Sequence, residues 1–255
     1  MPYQRELEAA LEISRRAGEL ALRYLAQNVA EEEKEDLSPV TMADRECERL
    51  ICTLLEEQFP EDGIIGEEGA RKPSRSGNRW IVDPIDGTRD FVRRIPFWSV
   101  QLALERRDEI VLGIIHLPEA KETVHAVLDS GCYWNDQPAR ASEISRIDKA
   151  ILTVSGFPPL WTKMEADRIR RLIEECWTVR GYGGCDDIAM IARGKADIWL
   201  SGSGMEWDYA PARIIARECG ARFFTLDGED RIDGDNCVIC APGLESAVRR
   251  ILAIP

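Results

Sequence analysis

Trp80-Ile81-Val82-Asp83-Pro84-Ile85-Asp86-Gly87-Thr88 decides how this chain is read. An apolar, β-type run ends in two carboxylates, Asp83 and Asp86, three positions apart. Pro84 is expected to stop the strand, because proline has no N–H for the ladder and fixes φ. Gly87 then permits a tight turn that gathers side-chain and backbone oxygens at one point. Such clusters of carboxylate, carbonyl and hydroxyl oxygens suit hard divalent cations. Two further acidic groups flank the stretch, Gly66-Glu67-Glu68-Gly69 upstream and Glu206-Trp207-Asp208 far downstream. Three separated acidic clusters, each beside a strand or helix end, point to a site for several metal ions.

The composition bounds the possibilities. The chain has 255 residues, enough for one large domain or two intimately packed ones with a sizeable core. Its residues are 44% hydrophobic and 31% charged, as in soluble globular proteins. A net charge of −13 excludes nucleic acid as a bulk electrostatic partner. If the ligand is an anion, metal ions held by carboxylates are the means to reverse the local field. Met1-Pro2-Tyr3-Gln4-Arg5-Glu6 opens directly into a charged amphipathic segment, and no apolar run approaches 18 residues. Neither secretion nor membrane spanning is indicated, and a cytoplasmic location is expected. Eight scattered cysteines fit reduced thiols. Cys237-Val238-Ile239-Cys240 has CxxC spacing but lies in a strand-like run, where positions i and i+3 point to opposite faces. It reads as structural. His116 and His125 sit in neighbouring strand-like segments without ligand spacing, so zinc chemistry is not expected.

Helical periodicity covers residues 3–29, followed by the acidic run Glu31 to Asp36, expected as a solvated loop. A second helix starts after Thr41 with Asp44 in its first turn. Strands are expected at 63–66, 79–83, 98–105, 109–116 and 122–128, with a hairpin turn at 131–138. Beyond residue 150 the expectation is strands at 150–155, 177–182, 196–200, 221–226 and 235–240. Helices are expected at 162–176, 185–193, 207–219 and 243–252. Helices alternating with sheets imply an α+β protein of stacked layers, in two closely packed halves, residues 1–149 and 150–255, with a cleft between them.

Four motifs in order resemble the inositol monophosphatase superfamily of Li⁺-sensitive, Mg²⁺-dependent phosphomonoesterases: Ser38-Pro39-Val40-Thr41-Met42-Ala43-Asp44, Gly66-Glu67-Glu68, Asp83 through Thr88, and Trp207-Asp208 opening a helix that ends Glu218-Cys219-Gly220. The resemblance implies the sugar-phosphatase arrangement of α/β/α/β/α layers and a homodimer. It implies that Glu67, Asp83 and the Ile85 carbonyl hold one Mg²⁺ and that Asp83, Asp86 and Asp208 hold a second. A weaker third ion is implied near Glu67, and Mn²⁺ is an acceptable substitute. The resemblance also implies that a hydrogen-bonded pair of Thr88 and Asp44 orients the attacking water and that the backbone N–H groups of Gly87 and Thr88 bind phosphate oxygens. Glu68 and Lys34 are peripheral to this set. Two cations neutralise a phosphate dianion and lower the pKa of a bound water, so no protein nucleophile is needed. None is evident, since Gly202-Ser203-Gly204 has neither nucleophile-elbow nor P-loop spacing.

For the substrate, a small phosphorylated metabolite, Arg180-Gly181-Tyr182-Gly183-Gly184-Cys185-Asp186 resembles the histidinol-phosphate phosphatase branch, with Gly184 where that branch often has aspartate. Ser201 stands where many inositol and histidinol phosphatases carry glutamate, and Glu206 is a candidate replacement. Arg180, Cys185, Ser201 and Glu206 are therefore the expected substrate contacts. Histidinol phosphate leads, then inositol monophosphate, with 3′-phosphoadenosine 5′-phosphate and fructose 1,6-bisphosphate as alternatives. A catalytically dead scaffold is the alternative of another class, disfavoured because every ligand position is acidic and Thr88 is present.

Overall fold

Strands buried on both faces build the layers, since each sheet must be covered by helices on either side. A computed structural model of the chain describes residues 2–27, 31–33 and 39–255; Lys34 lies outside them. Helices α1 (Gln4–Ala26) and α2 (Met42–Gln58) form the first layer. The run Glu31–Glu33, expected as loop, is strand β1, paired antiparallel with β2 (Pro39–Thr41). Next come β3 (Gly63–Gly66), β4 (Arg71–Lys72), β5 (Asn78–Asp86), α3 (Thr88–Arg93), β6 (Ser99–Arg106), β7 (Glu109–Leu117), β8 (Glu122–Val127), β9 (Gly131–Trp134) and β10 (Gln137–Ala139). The strands from β3 to β10 make one sheet in the order β10-β9-β8-β7-β6-β5-β3-β4.

The remaining elements are β11 (Ile151–Ser155), α4 (Phe157–Lys163), α5 (Ala166–Glu175), β12 (Thr178–Arg180), α6 (Gly184–Ala192), β13 (Ile198–Ser201), α7 (Glu206–Cys219), β14 (Arg222–Phe224), β15 (Cys237–Cys240) and α8 (Glu245–Leu252). They supply a five-stranded sheet ordered β12-β11-β13-β15-β14. The single helix expected over 162–176 is two helices. Pro158 and Pro159 lie in the first turn of α4, which tolerates proline because its N–H groups have no helical acceptor.

Three cores hold five layers together. On β5, Trp80 and Val82 face α1 and α2, whereas Ile81 faces the central layer of α6 and α7. Cys237 and Ile239 of β15 join that central layer, while Val238 and Cys240 point to the outer core beneath α5 and α8. The two cysteines of the CxxC run therefore lie on opposite faces, and all eight cysteines are free thiols. The order α1–α2, eight strands, α6–α7, five strands, α5–α8 is the expected α/β/α/β/α stack. No helix among the described residues is long and apolar enough to cross a membrane.

The seat of α7 is set by small residues. Ala103 on β6, Gly113 on β7 and Ala126 on β8 are register partners across three strands. They form a trough for α7. A Cβ at Gly113 would overlap the Ile214 side chain and lie 2.9 Å from Pro211 Cα. Glycine there lets the helix backbone rest on the sheet.

Candidate active site

Asp83 and Asp86 share a face because of a bulge. In a regular strand residues three apart diverge. Here β5 does not end at Pro84: Asp83 pairs with Gln101 and Asp86 with Ser99, so the register shifts between them. The proline sits in the irregularity, where no ladder N–H is required. The extra residue corrects the parity, and both carboxylates face α7. There Asp208, third residue of α7, completes a triad whose carboxylate oxygens lie within 4.8 Å of one another. Its Oδ2 accepts the Met205 N–H at 2.6 Å, which fixes the side chain at the helix start.

The triad floors a cleft of about 640 Å³ between the two sheets. Glu67, Ile85, Gly87, Thr88, Ser201 and the triad all line it. Thr88 Oγ1 lies 3.2 Å from both Asp44 Oδ1 and the Ile85 carbonyl, either of which accepts its one proton. Asp44 is fully buried on α2. Gly87 caps α3 with φ 88°, and a Cβ there would lie 2.8 Å from the Phe97 carbonyl. The turn thus requires glycine twice, for its φ and for its clearance.

Two supports were not evident in the sequence. Glu48, one turn beyond Asp44 on α2, accepts the N–H groups of Glu68 and Ala70, both at 2.8 Å. It holds the loop that carries Glu67, and a Cβ on Gly66 would run into its carboxylate. An acidic residue at i+4 from Asp44 on a buried face was the available signal. Gln101 donates from Nε2 to Asp86 Oδ2 at 2.7 Å. It alternates in phase with Ala103 on β6, but nothing in the sequence distinguishes it from any strand glutamine.

Three expected substrate contacts are not brought to the cleft wall. Arg180 is exposed at the sheet edge and donates to Thr178 Oγ1 at 2.6 Å and the Val179 carbonyl at 2.8 Å. Glu206 points away, ion-paired with Arg79 at 3.1 Å beside Glu105. Cys185 is buried behind Asp86, and its thiol is pushed well above the ordinary range by burial and then by the Asp86 and Asp186 charges. Ser201 does line the cleft, but its hydroxyl is engaged by the Ser203 carbonyl at 3.0 Å and the Tyr209 hydroxyl at 3.2 Å.

The site's electrostatics ask for cations. Burial, then repulsion from Glu67, Asp86 and Asp208, raises Asp83 well above the usual carboxylate range. Asp86 is pushed up to about 6, chiefly by burial. Asp208 is raised by burial and by the Asp86 charge. Among the described residues Arg89 is the only cationic side chain in the wall. Carboxylates converging in a desolvated place without counter-charge are costly unless a metal joins them. The donor set is all oxygen, which fits Mg²⁺ and does not fit a soft metal.

Comparison with known proteins accords with this geometry. The sequence model of the inositol monophosphatase family matches residues 3–253. The chain belongs to this family. It is a phosphoric monoester hydrolase of a metal-dependent group. It is 34% identical over 235 residues to a histidinol-phosphatase of Chlorobaculum parvum, covering 91% of each chain. It is 32% identical over 260 residues to an inositol-1-monophosphatase of Mesorhizobium japonicum, covering 99% of this chain and 94% of the other. The crystal structure of the extragenic suppressor protein SuhB from Bartonella henselae superposes with a TM-score of 0.91 at 27% identity, covering 98% of both chains.

Proposed function

We propose that the cleft hydrolyses a small phosphorylated alcohol with Mg²⁺, histidinol phosphate ahead of inositol 1-phosphate. The observation that carries this reading is the convergence of Asp83, Asp86 and Asp208 beside the Thr88–Asp44 pair. The histidinol-phosphatase relative supports the choice of alcohol. Residues 1–149 contribute Glu67, Asp83, the Ile85 carbonyl, Asp86 and the Thr88–Asp44 pair; residues 150–255 contribute Asp208 and much of the pocket. Glu67, Asp83 and the Ile85 carbonyl would hold one ion, and Asp83, Asp86 and Asp208 another; a third near Glu67 is the weakest. Bound there, Mg²⁺ or Mn²⁺ supplies charge neutralisation of the phosphate and acidification of water.

The chain's own groups do the positioning. Thr88 Oγ1 gives its proton to Asp44 Oδ1 or the Ile85 carbonyl, so its lone pairs are free to accept from a water in the cleft. That orients the water, and buried Asp44 is the place to which a proton can pass through the hydroxyl. The N–H of Thr88, first in α3, has no helical acceptor and is available to a phosphate oxygen.

Hydrolysis of p-nitrophenyl phosphate and of a panel of phosphorylated metabolites, with Mg²⁺ and in chelator, tests the reading. Turnover that depends on Mg²⁺ and a clear lead for histidinol phosphate in kcat/KM are expected. Full turnover in chelator by protein free of metal would remove the metal assignment. Equal slow rates on every metabolite would remove the substrate.

A further inference from the structure

We propose that Asp90 selects the alcohol, gripping a protonated amine on the substrate from the wall of the cleft that also holds the acidic triad. The inference rests on the phosphatase reading above and adds to it a residue and a charge. The wall holds five carboxylates: Glu67, Asp83, Asp86, Asp90 and Asp208. Four are engaged by ions in that reading. Asp90 is the fifth, and its carboxylate accepts no hydrogen bond from a described residue; among the described residues adjacent Arg89 is the only cation acting on it.

Two features aim Asp90 at a ligand. It is the third residue of α3, in the same turn as Thr88, so whatever fixes the phosphate fixes the distance to this carboxylate. Opposite it the chain is bare: a Cβ on Gly183, which has φ +94°, would lie 3.6 Å from Asp90 Oδ2 and 3.7 Å from the Phe97 carbonyl. Any larger residue would cover the carboxylate from that side. Gly183 is held in place by its neighbour Tyr182, whose ring meets that of Phe97 edge-on, with centroids 6.2 Å apart at 81°. A carboxylate with no hydrogen-bond partner among the described residues, in a cleft whose other acids would face metal, suits an ammonium group on a short alcohol. Glu206, the carboxylate the sequence pointed to, is ion-paired with Arg79 instead.

The test compares histidinol phosphate with its N-acetyl derivative, which keeps the phosphate and loses the amine's charge. Charge-assisted contacts of this kind are worth a factor of about 10 to 100. The wild-type enzyme should prefer the free amine by that factor in kcat/KM, mostly through KM. Asp90→Asn should abolish the preference, and Asp90→Glu should restore part of it. An unchanged ratio in Asp90→Asn overturns the assignment. If Asp90→Asn does not fold, the wild-type ratio decides: no preference for the amine refutes the proposal. Absence of Mg²⁺-dependent hydrolysis of any phosphate ester would instead be a failure of the phosphatase reading.

Discussion

Gly113→Ala should damage both stability and turnover, although residue 113 lies outside the cleft. The added methyl would sit 2.9 Å from Pro211 Cα and 3.0 Å from its carbonyl oxygen. Ordinary contacts lie beyond about 3.4 Å, and backbone atoms do not rotate away as a side chain can, so α7 must back off by roughly 0.5–1 Å. Overpacking of this kind costs about 1–3 kcal/mol. In a chain of this size each kcal/mol lowers Tm by about 2–4 °C, so a fall of about 2–12 °C is expected. The same displacement carries Asp208 away from Asp83 and Asp86, and a misplacement of ~1 Å can lower a rate ~10²-fold. Calorimetry and Mg²⁺ titration of hydrolysis read the two effects together. The Mg²⁺ needed for half-maximal rate should rise along with the loss of Tm. A Tm within 1 °C of wild type, with an unchanged Mg²⁺ requirement, would refute the argument that the trough positions Asp208.

Asp83→Asn should lower kcat ~10³-fold or more, the equivalent of several kcal/mol at the transition state, whereas Glu68→Gln should be mild. Near-normal rates for both would remove the site. His116 is buried, and burial lowers it to about 4 from an ordinary 6.5. The neutral ring is the folded form, so its share of stability is complete above pH 6.5 and is lost as pH falls toward 4, on the order of 3 kcal/mol. His116→Gln should flatten the wild-type decline across that window in denaturant titrations; a parallel decline would mean that His116 is not the titrating group. Light scattering at micromolar concentration should return twice the chain mass of 28.8 kDa, and the monomer mass would reject the expected homodimer.

The layer order was legible in the sequence because helical periodicity alternates with short apolar runs such as β6 and β7, which are buried on both faces. The convergence of Asp83, Asp86 and Asp208 was legible because carboxylates beside Pro, Gly and Thr have few other uses at a strand end. Pro84 misled, since a one-residue rule for strand termination does not anticipate a bulge that needs no N–H. Glu206 misled for another reason. Adjacency to Trp207 and Asp208 says nothing of direction, and at the first turn of a helix a change of one or two positions turns a side chain from the cleft to Arg79. Glu48 and Gln101 act through geometry that pairs residues distant in the chain, Gly66 with α2 and Asp86 with β6.

The binding triad joins parts of the chain that are far apart in synthesis. Asp83 and Asp86 stand on a strand of the first sheet, whereas Asp208 arrives with α7, whose docking requires the completed trough of Ala103, Gly113 and Ala126. Contacts between such distant segments form late, because closing a long loop precedes any gain from it. A ribosome-bound chain that has folded α1, α2 and most of the eight-stranded sheet therefore still lacks the oxygen that closes the acidic triad. In refolding, hydrolysis should return after the burial of Trp80 and Trp98, which reports the first core alone. Activity is thus a property of the finished chain, and an unfinished one has no means to strip phosphate from the metabolites around it.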